Sequence, residues 1–201
     1  MARHSFRILC TLFVLASVAV MGGGCSNPPP RPVYTDIRFS GEPLRLDVAD
    51  VLPVEENYKP GFKAPNVEHL FPVVPVRALE FWPRDRLRAA GSRNHARFTI
   101  LNASVRETEL PKTPGLQGTF TREQAQRYDA VIEARLDIVD EARFVSHSTS
   151  ARVTRSQTVP EGISPNEREK IWYDMTRGLM TEFDQAMEQN IRSNFGTALL
   201  R

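Results

Sequence analysis

Residues 128–139, YDAVIEARLDIV, decide the fold, because apolar and polar side chains alternate along the whole stretch. A period of two predicts a β-strand with one buried face and one solvated face. The predicted buried side chains are those of Tyr128, Ala130, Ile132, Ala134, Leu136 and Ile138. Residues 143–159 are β-branched and polar, and they predict an antiparallel neighbour that lies on an exposed face or at a sheet edge.

Two segments upstream also have the pattern of strands. Residues 96–107 predict a strand whose phase slips between Ile100 and Ala103, which indicates a β-bulge. Residues 44–52 alternate leucine and valine with other side chains and predict a half-buried strand. Residues 53–75 contain five prolines and predict a long loop, because proline is excluded from helix interiors and central strands.

Two segments have helical periodicity. Residues 76–90 predict a helix with a kink or restart at Pro83, because proline removes a backbone donor and clashes with the preceding turn. Ser164 and Glu167 form a capping box, and an apolar stripe with helical spacing follows for about 30 residues. The element order β-α-β-β-β-α predicts an α+β domain, a four-stranded antiparallel sheet with two helices on one face.

The N-terminal residues have the order of a secretory signal peptide. Arg3 and Arg7 precede an uncharged apolar run over residues 8–21, and three glycines and Cys25 follow. The run is shorter than the ~20 apolar residues of a membrane-spanning helix. A buried core helix is the alternative, but such a helix has periodic polar residues and this run has none. We expect residues 1–24 to be a signal peptide.

Gly24 and Cys25 after an apolar run resemble the lipobox of bacterial lipoproteins. The resemblance covers the first 25 residues and departs from the family at Gly22, where leucine is usual, so ordinary signal-peptide cleavage is the alternative. It implies cleavage before Cys25 and lipidation of the cysteine sulfur. Two or more acyl chains, such as palmitate, hold a protein firmly to a membrane. Ser26 in place of aspartate implies the outer membrane rather than the inner membrane.

The net charge of the chain without its signal peptide argues against one class of partner. The full chain has a net charge of +2, but the residues after position 24 contain 24 basic and 24 acidic side chains. This balance argues against nucleic acid as a partner, because nucleic-acid binding needs a basic surface. Residues 25–40 predict a lipidated cysteine with a proline-rich, semi-rigid tether, and residues 41–201 predict a single α+β domain. Cys25 is the only cysteine after the signal, which excludes a disulfide within one mature chain.

No combination of residues predicts catalysis or a cofactor. His69, His95 and His147 lack the spacing of zinc ligands, and the sequence has no nucleophile elbow or glycine-rich phosphate loop. The carboxylate pairs Glu55-Glu56 and Asp140-Glu141 are expected to lie in a solvated loop and a solvated turn. We therefore expect a protein that is not an enzyme and holds no metal.

Three aromatic residues are candidates for partner binding. Trp82, beside Phe81, either packs in the core or is an exposed anchor, because tryptophan is enriched at interaction hot spots. Phe71 belongs to the apolar residues 70–75, which are either buried on the sheet or form a docking patch.

The predicted element order resembles small outer-membrane lipoproteins that act as accessory subunits. Examples are the lipopolysaccharide-assembly lipoprotein that plugs a β-barrel and the auxiliary lipoproteins of ABC-type lipid transporters. The resemblance covers about residues 40–200 and is topological only. It implies a periplasmic, lipid-anchored, non-enzymatic accessory or scaffold subunit of an envelope complex, with an unidentified protein partner and lipid transport as one role.

Two other functions have distinct structural requirements. A small-ligand or lipid carrier requires a hollow between the sheet and the helices. An envelope hydrolase requires a nucleophile and a base together in a cleft.

Overall fold

The fold is described here from a computed structural model, for residues 32–111 and 124–200. In chain order the elements are β1 (Leu44–Leu46), β2 (Asp50–Val51), β3 (Glu55–Glu56), α1 (Pro75–Arg86), β4 (Leu87–Ala89), β5 (His95–Glu109), β6 (Gln124–Val139), β7 (Val145–Pro160), α2 (Pro165–Asn194) and β8 (Leu199–Leu200). Short 3-10 turns occur at Glu68–Leu70 and Gly196–Ala198. The predicted α+β class is confirmed.

The larger sheet is built on the three long strands. β5 pairs antiparallel with β6, and β6 pairs antiparallel with β7. The register of β5 shifts between Ile100 and Asn102, which confirms the predicted bulge. β2 and β3 pair parallel with the outer side of β5, so the sheet is mixed and the prediction of a purely antiparallel four-stranded sheet is wrong in this respect.

A second, smaller sheet has the order β4-β1-β8, with β1 parallel to β4 and antiparallel to β8. Two predicted boundaries change because of it. The predicted strand over residues 44–52 is divided into β1 and β2, and the predicted helix over residues 76–90 ends at Arg86. Leu87 is extended, its N–H donates to the carbonyl of Pro83, and its backbone pairs with Leu44. Pro83 lies in the last turn of α1, so the helix ends shortly after it rather than restarting.

Helix α2 begins as its sequence predicts. The backbone N–H of Glu167 donates to the hydroxyl of Ser164, at 3.3 Å. The backbone N–H of Ser164 donates to the Glu167 carboxylate, at 2.8 Å. This reciprocal capping box satisfies two backbone donors that a helix start otherwise leaves free. The helix then runs for 30 residues and packs on β7.

Both helices cover the same face of the larger sheet, as predicted. The ring of Phe98 on β5 stacks on Trp82 of α1, with centroids 5.3 Å apart. The same ring meets Phe183 of α2 edge-on, at 6.4 Å. All three side chains are fully buried. A second aromatic cluster joins Phe71 to Tyr128 and Trp172 at centroid distances of 6.4 and 5.0 Å.

A buried arginine joins the two helices. Arg86 of α1 is 1% exposed, and its Nε lies 2.7 Å from the carboxylate of Asp184 on α2. Its two terminal nitrogens donate to the carboxylate of Glu188 and to the backbone carbonyl of Glu42. The indole N–H of Trp82 donates to the same Asp184 oxygen, at 2.8 Å. The guanidinium therefore fixes α1, α2 and the segment that precedes β1 to one another.

The segment before β1 packs on α2. The ring of Tyr34 lies 5.0 Å from that of Tyr173, and Ile37 is buried in the core. Arg38 and Phe39 are both joined to Asp85 on α1. These residues belong to the range 25–40 that the sequence analysis assigns to the tether.

Candidate functional site

One face of the larger sheet faces away from both helices. Its side chains alternate with the buried ones along β5, β6 and β7, and they form cross-strand rows. These rows are Arg97–Asp137–Ser148, Thr99–Arg135–Ser150, Asn102–Glu133–Arg152, Ser104–Val131–Thr154, Arg106–Asp129–Ser156 and Thr108–Arg127–Thr158. We call this surface the polar sheet face.

Asp137 is the most buried charge of the polar sheet face, at 1% exposure. Its Oδ2 lies 3.0 Å from Nη2 of Arg97 and 3.1 Å from Nε of Arg135. The hydroxyl of Ser148 donates to its other oxygen, at 2.6 Å. A buried carboxylate is tolerated when cations and hydrogen-bond donors compensate it. Asp137 therefore holds the side chains of three neighbouring strands in fixed positions.

A similar arrangement is found around Asp129. The hydroxyl of Ser156 donates to its Oδ1 at 2.6 Å, and Nε of Arg127 donates to its Oδ2 at 2.9 Å. The hydrogen bond from Ser156, assisted by Arg127 and opposed by partial burial, lowers the pKa of Asp129. Two rows away, Arg152 lies 2.5 Å from the carboxylate of Glu133.

The polar sheet face has an excess of positive charge. Along β5, β6 and β7 it has five arginines and three carboxylates. The arginines are Arg97, Arg106, Arg127, Arg135 and Arg152, and the carboxylates are those of Asp129, Glu133 and Asp137. A broad surface with fixed side chains and interspersed charges suits a macromolecular partner, whereas small ligands bind in concave pockets.

A groove of about 600 Å³ lies between α1 and the segment that contains β2 and β3. Apolar residues and the charged Glu56, Glu80 and Arg84 both line it. Partial burial raises the pKa of Glu80, and the hydrogen bond and negative charge of Glu56 raise it further. Arg77 lies 3.7 Å from the Glu80 carboxylate. This carboxyl pair is on the α1 side of the domain, apart from the polar sheet face.

A histidine–carboxylate contact is found where β5 begins. Nδ1 of His95 is in close contact with the carboxylate of Asp50, and both side chains are partly exposed. The neighbouring groove is lined by Leu52, His95, Val139, Asp140, Glu141 and Arg143. None of these lining residues is a serine, threonine or cysteine, so this groove has no hydroxyl or thiol nucleophile.

Residues 32–111 and 124–200 contain no group of three or more potential metal ligands. No helix within these ranges has both the length and the apolar character needed to cross a bilayer.

The sequence-predicted site residues are in different environments. Cys25 lies outside the described residues. Phe71 is 4% exposed and Trp82 is 0% exposed, so the exposed-anchor alternative is wrong for Trp82, and the docking-patch alternative is wrong for Phe71. Both rings instead pack against aromatic rings of the core.

Phe81 differs from its neighbour Trp82 because it points outward from the core and is half-buried. The guanidinium of Arg38 lies over its ring, 4.7 Å from the centroid, and that of Arg84 lies 5.9 Å away. Partner binding by Phe81 stays a prediction.

The space between the sheet and the helices is occupied by side chains. Trp82, Phe98 and Phe183 fill it at one position, and Leu136 and Leu179 are also fully buried. This is the space in which the carrier interpretation places its ligand.

The polar sheet face was not identified from the sequence as a site. Two signals for it are present in the sequence: the charged half of the alternation in residues 128–139 and the many serines and threonines of residues 143–159. Any sheet with one solvated face has polar side chains at alternate positions. The pattern alone therefore does not distinguish a binding surface from an ordinary solvated face.

No family model and no curated protein matches the chain. Among solved structures, the chain is similar to a minor lipoprotein from Acinetobacter baumannii, with 10% identity and a TM-score of 0.38, over 78% of this chain and 98% of that one. It is similar to rare lipoprotein B from Shewanella oneidensis, with 9% identity and a TM-score of 0.38, over 72% of this chain and 97% of that one. A third, from Caulobacter crescentus, is described as a putative lipoprotein, with 10% identity and a TM-score of 0.35, over 70% of this chain and 89% of that one. All three neighbours are named as lipoproteins.

Proposed function

We propose that the chain is a lipid-anchored lipoprotein of the bacterial cell envelope and a non-enzymatic accessory or scaffold subunit of an envelope complex. The observation that carries the proposal is the sequence Gly24-Cys25 after a basic and apolar segment. The described domain begins seven residues after Cys25, with a proline-rich segment between them. An anchor, a short spacer and a folded domain are the parts that such a subunit needs.

The polar sheet face supports the scaffold part of the proposal. Its charged side chains are already held by neighbours, as Asp137 is by Arg97, Arg135 and Ser148. A partner that binds there does not have to immobilise long flexible side chains, which lowers the entropic cost of association. The alternating charges would select a partner of complementary pattern.

The periplasmic face is the proposed location, because a signal peptide directs export and the lipid anchor retains the domain at a membrane. Ser26 follows the proposed acylated cysteine in place of an aspartate, and the resemblance to lipoproteins therefore favours the outer membrane. Lipid transport is one proposed role of the complex.

Expression of the full chain in a Gram-negative bacterium tests the proposal. We expect the protein in the membrane fraction and an N-terminal peptide that begins at Cys25 with the mass of its acyl chains. Cys25→Ser is expected to move the protein to the soluble fraction or to leave an uncleaved precursor. An unmodified N-terminus at any other residue would refute the anchor.

Purification of the intact protein in mild detergent tests the scaffold role. We expect an envelope protein to co-purify, and to be lost when Arg127 and Arg152 are both replaced by glutamate. These two side chains are 47% and 54% exposed, so the replacements leave the core intact. Purification always as a lone monomer would contradict the scaffold role without affecting the anchor.

A further inference from the structure

We infer that one end of the domain contacts the surface of a bilayer with anionic lipids, through the loop Tyr58–Lys63 and the exposed side chains beside it. The inference rests on the proposed lipid anchor and adds an orientation to it. It is carried by four observations: exposed apolar side chains, flanking lysines, a rigid loop and the position of the chain's entry into the domain.

Three large apolar side chains are exposed at this end. Phe62 is 72% exposed, Leu70 is 53% exposed and Val33 is 90% exposed. Lys59 and Lys63, on either side of Phe62, are also exposed. Aromatic side chains are favoured at the membrane–water interface, and lysines near an anionic membrane are attracted to its headgroups. The sequence of the loop thus combines the two chemistries that an anionic bilayer surface recognises.

The loop is held in place by a buried carboxylate. Glu68 is 1% exposed, and its Oε1 accepts hydrogen bonds from the hydroxyl of Tyr58 at 2.6 Å and the backbone N–H of Gly61 at 2.9 Å. Its other oxygen accepts from the backbone N–H of Val105 on β5, at 3.2 Å. Burial and the neighbouring Glu68 raise the pKa of Tyr58, so its hydroxyl remains a donor at neutral pH. Phe62 is therefore presented to solvent by a fixed loop.

The exposed side chains lie at the end of the domain where the chain enters. Leu70 precedes Phe71, whose ring stacks on Trp172 near the start of α2 at a centroid distance of 5.0 Å. The next residue of α2, Tyr173, packs against Tyr34, which directly follows Val33. The first turns of α2 therefore join Leu70 and Val33. The ring of Phe62 lies 5.6 Å from that of His69, the residue before Leu70.

The length of the tether places this end near the membrane. Pro32 is seven positions after Cys25, and an extended polyproline chain over seven residue steps spans about 22 Å. The backbone N–H of Val67, just after the loop, bonds to Val105 of β5, which pairs with Ala130 of β6. From Ala130 to the far turn after Val139, β6 extends for about 30 Å. When the sheet stands upright on the membrane, Phe62 can therefore reach the bilayer that holds the acyl chains. The opposite end of the domain cannot reach it.

The chain contains a matched control at the far end. Phe144 is 74% exposed, nearly the same as Phe62, but it lies in the turn between β6 and β7. That turn is opposite the end at which β6 begins, because Val139 pairs with Val145 there. Because Phe62 and Phe144 are similarly exposed, a difference in lipid contact between them reports the orientation of the domain and not a general affinity of apolar side chains for lipid.

The experiment uses the full-length protein, purified after its own processing, in vesicles of phosphatidylcholine with a minority of phosphatidylglycerol. Phe62→Cys and Phe144→Cys, each labelled with an environment-sensitive fluorophore, are compared by quenching with lipids brominated in their acyl chains. Acylation of Cys25 leaves the introduced thiol as the labelling site, and the mass of the N-terminal peptide reports that acylation separately. Far-UV circular dichroism confirms that both variants are folded.

We expect several-fold stronger quenching of the label at position 62 than of the label at position 144. Lys59→Glu and Lys63→Glu are each expected to weaken the contact about fivefold. Vesicles of phosphatidylcholine alone are expected to give the same loss as the two substitutions together. Equal quenching at the two positions, or stronger quenching at position 144, would overturn the inference.

The mass of the N-terminal peptide tests the anchor, and the quenching tests the orientation, so either claim can be refuted without the other. An unacylated Cys25 refutes the proposed anchor. The comparison of positions 62 and 144 on added vesicles is then repeated with Cys10→Ser and Cys25→Ser, so that the introduced thiol is again the labelling site, and it still decides whether the end of the domain contacts lipid. An acylated chain whose two labels are equally quenched keeps the anchor and refutes the orientation.

Discussion

Replacement of Arg86 by methionine tests how the two helices are held together. Arg86 is 1% exposed and donates to Asp184, Glu188 and the carbonyl of Glu42. Removal of one partner from a buried ion pair costs about 3–5 kcal/mol. The two carboxylates are 21% and 30% exposed, so water solvates them in part once the arginine is gone. We therefore expect a loss of about 3 kcal/mol in the free energy of unfolding, at the lower end of that range.

Two further variants separate the causes of this loss. Arg86→Lys keeps the charge but not the planar fork that reaches three acceptors, and we expect a loss of about 2 kcal/mol. Asp184→Asn keeps an acceptor for Trp82 and leaves Glu188 to compensate the guanidinium, so we expect a loss of about 1 kcal/mol. A loss of stability that decreases from Arg86→Met to Arg86→Lys to Asp184→Asn indicates a buried guanidinium that donates to several acceptors.

Urea denaturation followed by tryptophan fluorescence measures these differences, because Trp82 and Trp172 are both in the core. A methionine variant within about 0.5 kcal/mol of the wild type would refute the reasoning, since an exposed arginine behaves that way. So would a lysine variant that is fully stable, because a single ammonium group would then replace the fork.

Three other substitutions have defined outcomes. Gly41→Ala is expected to cost about 1–3 kcal/mol in urea denaturation, because an added Cβ would overlap the same buried guanidinium. Asp85→Asn is expected to cost about 1 kcal/mol at neutral pH. The bond from Arg38 lowers the pKa of Asp85, so its contribution is present above the unfolded-state pKa of about 3.9 and is lost as the pH falls through the folded value. Glu80→Gln is expected to stabilise the protein by about 0.5 kcal/mol at neutral pH. Burial and Glu56 raise the pKa of Glu80, so this gain disappears at low pH, where Glu80 is protonated in both states; an unchanged gain in acid would contradict it.

The long elements were predictable because their periodicity is local. The alternation of residues 128–139 and the capping box at Ser164 each specify a structure from neighbouring residues, and the phase slip after Ile100 showed the bulge. The polar strand over residues 143–159 was predicted to be exposed or at an edge, and β7 is both the last strand of its sheet and open on one face.

The small sheet was not predictable from the same signals. β1 and β4 have three residues each, and β8 has two, which is too short for an alternation to be recognised. β1 pairs parallel with β4 across 43 residues, and such long-range pairing leaves no trace in local sequence. The extended backbone at Leu87 results from this pairing, which explains why the helix stops before the end that its apolar stripe predicted.

The burial of Trp82 shows why candidate binding residues are difficult to choose from sequence. Its position on the apolar side of the predicted helix favoured burial in the core, whereas its neighbours Phe81 and Pro83 favoured an exposed anchor for a partner. The outcome depended on Asp184, a residue 102 positions away that accepts the indole hydrogen bond. The N–H of a buried tryptophan usually has such an acceptor, and the sequence does not show where one will be.

The open edge of β7 has a consequence for how densely copies of the domain can be crowded. A strand of 16 residues with no strand paired on its outer side, among those described, is a template for fibril growth between neighbours. In this domain the amide of Asn190 donates to the carbonyl of Ser150 at 2.8 Å, and that of Asn194 donates to the hydroxyl of Thr149 at 3.1 Å. The bond from Asn190 thus occupies a backbone carbonyl of this strand, the kind of group with which an incoming strand would pair. A protein concentrated in two dimensions by an anchor would need such protection more than one diluted in three.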